Sequence, residues 1–168
     1  MKQPIVDYIS KLLPKVKLEP GEAFYWSPNK QLITYKTSAI NEDIGQWALL
    51  HEASHAILNH QNYNSDIELL KLEVEAWHNA KGLAKDLEIN IDENHIQDCL
   101  DTYRDWLYRR SSCPNCGVVC IQLTPSTYSC HNCQTTWSVS SSKFCRPYRL
   151  TVNQSKQKRL QPKTTTFS

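Results

Sequence analysis

After Asp105 the sequence contains no acidic residue. Residues 111–168 carry 7 Lys/Arg and no Asp/Glu, whereas residues 1–110 carry 12 Lys/Arg and 17 Asp/Glu. The net charge of +2 therefore conceals halves of +7 and −5. A split of that size argues for two modules with different partners. Long apolar runs are missing too. None approaches the roughly 18 residues needed to span a bilayer, which argues against any membrane association through a helix. The N-terminal MKQPIVDYISKLLPK mixes apolar and charged residues too finely for a signal-peptide core, so the expected location is the cytoplasm. No internal repeat is apparent.

Cysteine, by contrast, is plentiful but unevenly placed. Six of the seven lie between Cys113 and Cys145, and four of those form two CxxC pairs. Without an export signal, that arrangement favours a metal over disulfides.

Along the chain, a short helix is predicted over residues 4–13. The aromatic and β-branched runs Phe24–Trp26 and Gln31–Lys36, joined by Ser-Pro-Asn, predict a β-hairpin. Asn41 can cap the next helix, with Glu42 and Asp43 in its first turn, and that helix runs to about His60. Ser65 and Glu68 form a capping box that opens a long helix to about Leu87. Asp92 opens a further helix, whose apolar stripe is Ile96, Cys99, Leu100, Tyr103, Trp106 and Leu107.

The second of these helices contains HEASH. Positions i and i+4 lie one turn apart on one helical face, so His51 and His55 can present imidazole nitrogens to one ion. Glu52 lies beside them, offset from ligation and placed to take a proton from a metal-held water. A catalytic zinc needs three protein ligands and an open position. The following helix offers Glu73, Glu75 and His78 in KLEVEAWHNA. Glu73 and Glu75 lie about 200° apart around a helix, so only one can face the metal. His60 ends its helix, where a cation suits the dipole.

HExxH followed about twenty residues later by Glu-Ala, with a small polar residue four beyond the Glu, resembles the gluzincin arrangement. The shorter form ExEA after HExxHAxLxH resembles the ImmA/IrrE group of bacterial and phage metallopeptidases, over roughly residues 20–90. That resemblance implies His51, His55 and Glu75 as ligands of a catalytic zinc and Glu52 as general base. It leaves Glu73 as a solvated helix face. Asn79 stands where gluzincins often have an Asp that orients the first histidine, and an amide gives less negative charge there. Trp77 replaces the Asn or Asp usual after Glu-Ala. His78 and Tyr103, with His95, are the candidates to stabilise an oxyanion.

Cys113, Cys116, Cys130 and Cys133 form a CxxC-x13-CxxC pattern. Four thiolates close the coordination of a zinc ion, so this site is expected to be structural, and the segment resembles a zinc ribbon. Lys143, Arg146, Arg149, Lys156, Lys158 and Arg159 follow on an acid-free stretch, interleaved with Trp137, Phe144 and Tyr148. Such a mixture suits nucleic acid, through phosphate attraction and stacking. A peptidase helix followed by a basic ribbon also resembles SprT-like proteins, which act on proteins attached to DNA.

The expected fold is α+β. A small zincin-like domain of a β-hairpin and three to four helices covers 1–110, a zinc ribbon 111–150 and a flexible basic tail 151–168. The expected function is a zinc-dependent endopeptidase with two Zn²⁺ per chain, one catalytic and one structural. Its substrate would be a protein, with a DNA-binding protein as one candidate. The alternative is a non-catalytic nucleic-acid-binding or regulatory adaptor, or a mobile-element structural component, on a peptidase-like fold.

Overall fold

Residues 4–140 and 149–151 are described by a computed structural model. Among them, four α-helices and two small β-sheets give a mixed α+β chain. Two compact units are present, Met1–Thr102 and Tyr103–Ser168.

In the first unit, α1 (Pro4–Leu12) buries Ile5 and Ile9, one turn apart on its apolar face. The expected hairpin is formed by β2 (Tyr25–Ser27) and β3 (Leu32–Tyr35), antiparallel, with a 3₁₀ turn over Pro28–Lys30 between them. A third strand, β1 (Lys17–Pro20), lies parallel to β3 on its other side, giving the order β1-β3-β2. Central Ile33 is fully buried, and β2 is an edge strand. Strand β1 has the sequence Lys-Leu-Glu-Pro, with no aromatic or β-branched residue, and carries no local strand signal.

Helix α2 (Asp43–Ile57) starts one residue later than expected: extended Glu42, not Asn41, occupies the cap position, without a side-chain capping bond. It ends at Ile57, short of His60, in a Schellman closure. Asn59 is left-handed at φ 52, its N–H bonds the Ala56 carbonyl at 3.1 Å, and the His60 N–H bonds the His55 carbonyl at 2.9 Å. Near its start, a Cβ on Gly45 would stand 2.0 Å from the Ala39 carbonyl oxygen. Only glycine permits so close an approach to the Lys36–Ala39 turn.

Helix α3 (Asp66–Asp86) is capped by Ser65, whose hydroxyl accepts the Glu68 N–H at 3.2 Å. The reciprocal bond from Glu68 goes to the amide of Asn64 at 2.7 Å rather than to that of Ser65. The buried face of α3 carries Glu73, Ala76, Trp77, Ala80 and Ala84. Helix α4 (Glu93–Ser111) follows Asp92, whose carboxylate accepts the Asn94 N–H at 3.0 Å. The core of this unit gathers α1, β2, β3, α2, α3 and the first half of α4 around Ile9, Ile33, Leu49, Leu50, Trp77 and Leu100.

The second unit contains β4 (Gln122–Thr124), β5 (Thr127–Ser129), β6 (Thr136–Val139) and β7 (Arg149–Thr151), antiparallel in chain order. Tyr128 and Trp137 stack at 5.6 Å in its core beside Cys113, Cys130 and Val139. Arg110, where the charge break suggested a boundary, is built into this unit. It is buried, its guanidinium lies 4.3 Å over the Trp106 ring and donates to the Ser140 carbonyl, and its own carbonyl accepts the Trp137 indole N–H at 2.9 Å. Beyond Thr151, the expected tail lies outside the described residues. Among those described, no helix is long and apolar enough to cross a membrane.

Candidate metal centres

Among the described residues, two groups of side chains could hold a metal ion: His51, His55 and Glu73, and the four cysteines 113, 116, 130 and 133. In the first group, helical spacing on α2 sets His51 Nε2 and His55 Nε2 3.1 Å apart. Glu73 Oε2, from the buried face of α3, lies 3.2 Å from His51 Nε2 and 3.7 Å from His55 Nε2. Bonds of about 2.0–2.1 Å to a tetrahedral ion set N and O donors about 3.3–3.4 Å apart. The three measured separations bracket that edge length, so the donor set fits such an ion. Burial pushes the Glu73 pKa up, but its contacts with the His51 and His55 rings outweigh burial and hold it well below the ordinary carboxylate range.

The carboxylate in this cluster is Glu73 and not Glu75, which corrects the expectation carried by the Glu-Ala context. The helix geometry gives the reason. Glu73 shares the face of Ala76, Trp77 and Ala80, and its side chain is 9% exposed. The Glu75 side chain is 44% exposed and meets His60 instead, Oε2 to Nε2 at 3.5 Å, and Lys71 at 3.7 Å.

Glu52 follows His51 and is half-buried. Its Oε2 accepts the backbone N–H of Trp26 at 2.7 Å, from edge strand β2. The Trp26 indole N–H in turn donates to the His60 carbonyl at 3.0 Å. One residue of the sheet thus holds both the glutamate and the segment after α2. His60 is buried, with Nδ1 2.9 Å from His55 Nδ1. Burial lowers its pKa, helped by the neighbouring His55, against an opposing pull from Glu75.

His51 stacks on Trp77 at 4.3 Å, and its Nδ1 is buried without a hydrogen-bond partner among the described residues. Asn79 Oδ1 is buried and unpartnered in the same sense, so the expected Asn79–His51 bond is not formed. His78 is exposed, about 140° around α3 from Glu73, away from the donor cluster. His95 packs edge-on against Trp77 at 5.7 Å and lies 5.0 Å from Trp47. Tyr103 is a half-buried residue of the second unit.

In the cysteine group, Cys113 Sγ and Cys133 Sγ are 3.6 Å apart, and Cys116 Sγ and Cys130 Sγ 3.5 Å. Metal–sulfur bonds of about 2.3 Å imply a tetrahedral edge of about 3.8 Å, so these thiols fit one ion as well. The two turns match. Gly117 and Gln134, each following the second cysteine of its pair, have φ of 74 and 60, and each N–H returns to the carbonyl of the first cysteine at 3.0 Å. Backbone amides also point at sulfur: Asn115 N–H to Cys113 Sγ at 3.4 Å and Cys133 N–H to Cys130 Sγ at 3.5 Å. A hydrogen bond from the Thr135 hydroxyl, followed by one from Asn115, brings the Cys133 thiol down to about 5, whereas burial raises that of Cys113.

Of the nucleic-acid candidates, Lys143, Arg146, Lys156, Lys158 and Arg159 lie outside the described residues, as do Phe144 and Tyr148. Arg149 is described only as backbone in β7. Trp137 is fully buried and unavailable for stacking on a base, a correction that follows from its place against Tyr128.

Comparisons with protein-family models, with curated proteins and with solved structures give no match. The resemblances to ImmA/IrrE and SprT-like proteins therefore rest on the motif residues alone.

Proposed function

We propose that the chain is a zinc-dependent peptidase whose zincin-like first unit uses His51, His55 and Glu73 as ligands and Glu52 as general base. In this reading the second unit is a zinc ribbon that recruits a protein or nucleic-acid partner. The observation that carries the proposal is the convergence of three donor atoms at 3.1–3.7 Å immediately beside a half-buried glutamate. When bound, zinc supplies Lewis acidity, polarising a carbonyl and lowering the pKa of a water. His51, His55 and Glu73 hold the ion from two packed helices. Glu52, oriented at Oε2 by the Trp26 N–H, offers Oε1 to take the water's proton. Edge strand β2 lies beside it, where an extended peptide can add by main-chain hydrogen bonds.

The same Trp26 contact favours a second reading, a non-catalytic adaptor, because one oxygen of the Glu52 carboxylate is already engaged in a structural hydrogen bond to the sheet. Glu52→Gln separates the two. Wild type and variant are incubated with unfolded and DNA-binding proteins, and fragments are sequenced. The peptidase reading expects cleavage by wild type, lowered about 10²- to 10⁴-fold in the variant, with zinc content unchanged. Cleavage by neither protein leaves the adaptor, and equal cleavage by both points to another base.

A further inference from the structure

We propose that His60 and Glu75 are positioning residues for the helical metal centre. With His55 they form a one-way chain of polar contacts that fixes the His55 tautomer and presents its Nε2 lone pair to the ion. The inference rests on the metal reading above and adds two residues from outside the ligand set.

The direction of the chain follows from the chemistry of its members. A carboxylate can only accept. His60 Nε2 lies 3.5 Å from Glu75 Oε2, longer than an ordinary N–H···O bond of about 2.7–3.2 Å, and the carboxylate's charge favours the hydrogen on that nitrogen. A neutral imidazole has a single N–H, which leaves His60 Nδ1 as an acceptor. It faces His55 Nδ1 at 2.9 Å, and His55 Nδ1 must donate. His55 Nε2 then keeps its lone pair, and this is the atom 3.1 Å from His51 Nε2 and 3.7 Å from Glu73 Oε2. Reversing any link would direct an N–H into the donor cluster, where ligation needs a lone pair.

Position and direction have separate causes. The His60 backbone is pinned twice, by its N–H to the His55 carbonyl at 2.9 Å and by the Trp26 indole on its carbonyl at 3.0 Å. Those contacts hold the His60 backbone whatever the ring's tautomer, and Glu75, facing Nε2, sets its polarity. His51 lacks such support among the described residues, since its Nδ1 is buried without a partner. Histidine ligands are ordinarily held by a group on the second ring nitrogen, and losing that group typically costs about 10–100-fold in metal affinity. Here the holding group is a second histidine backed by a carboxylate.

The test uses the full chain with ¹⁵N-labelled histidine. Long-range ¹⁵N–¹H correlation reads the tautomers, and chelator competition reads affinity for the zinc that His51→Ala removes. In metal-free wild type, His55 should carry its hydrogen on Nδ1 and His60 on Nε2. Glu75→Ala and His60→Ala should weaken that zinc about 10–100-fold. Glu75→Lys offers only donors, so it should flip His60 and weaken zinc further than Glu75→Ala. Should His60→Ala fail to fold, the Glu75 variants, at a half-exposed position, carry the test alone. Unchanged affinity in the Glu75 variants, or a wild-type His55 with its hydrogen on Nε2, would overturn the chain. A wild type holding no more zinc than His51→Ala would overturn the metal reading, and the inference with it, before any other variant is compared.

Discussion

Replacing Gly45 by alanine tests how firmly α2 is seated. Glycine in a helix interior normally costs about 0.5–1 kcal/mol relative to alanine, so the substitution should stabilise wherever space allows. At Gly45 it does not. The new Cβ would stand 2.0 Å from the Ala39 carbonyl oxygen and 2.6 Å from its carbon, both backbone atoms. Relief needs a shift of about 1 Å, and forcing a methyl into a packed site costs typically about 1–3 kcal/mol. The same oxygen accepts the Glu42 N–H at 2.9 Å, so displacing it threatens a bond worth about 1 kcal/mol at the start of the helix. The net expectation is a loss of about 1–3 kcal/mol, at roughly 4–8 °C in Tm per kcal/mol for a unit of this size. Gly82 on α3 is the control, because a Cβ there meets nothing within 4 Å. Gly82→Ala should raise stability by about 0.5–1 kcal/mol. Urea unfolding of both variants, followed by far-UV circular dichroism, gives the two signs. If both variants are stabilised, the close approach of α2 to the Ala39 turn is wrong.

Three further outcomes are expected. On the proposed two-zinc reading, Glu73→Gln should lower the metal content from two ions to one by metal analysis, whereas Glu75→Gln, whose amide oxygen can still face His60, should leave it at two; the opposite pattern would mean α3 is rotated. In metal-free protein, the depressed pKa of Glu73 contributes stability that is present above its unfolded value near 4.5 and is lost as pH falls toward the lower folded value. Urea midpoints measured on the acid side should therefore fall less steeply for Glu73→Gln than for wild type. Cys113→Ser, or a strong chelator, should release Trp137 from its buried stack on Tyr128, seen as loss of near-UV ellipticity, because so small a core depends on metal binding for its folding energy; an unchanged spectrum would mean the second unit folds without an ion.

Most helices were legible because their signals are local. Ser65 and Glu68 marked the start of α3, and the HEASH spacing set the face of α2. Glu73 is marked by the apolar register: positions 73, 76, 77, 80 and 84 form one stripe, and a carboxylate within it must be buried beside a partner. The Glu-Ala context pointed elsewhere. The dipole argument places His60 at a helix end, yet it folds back on His55 because Asn59, a residue type that tolerates left-handed backbone, closes the helix. Leu-Asn-His was the available signal. Nothing local announces β1, whose strand character comes from β3 beside it. The burial of Trp137 is hidden for a related reason: Tyr128 faces it only once β5 pairs with β6, and Arg110, whose carbonyl takes its indole N–H, lies 27 residues away.

The matched turns of the two cysteine pairs bear on the order in which the second unit assembles. Each turn presents two corners of a tetrahedron, and the short sulfur–sulfur edges, Cys113 to Cys133 and Cys116 to Cys130, both run between turns. A single turn is therefore half a cage and grips an ion by two thiolates. The 13 residues from Gly117 to Ser129 must close before the cage exists, and most of them fold into the β4–β5 hairpin. Closing a loop of that length is entropically modest, and contacts between near neighbours in sequence form early. The β4–β5 hairpin is thus what brings the second turn against the first, and the four-sulfur arrangement exists only once it has closed.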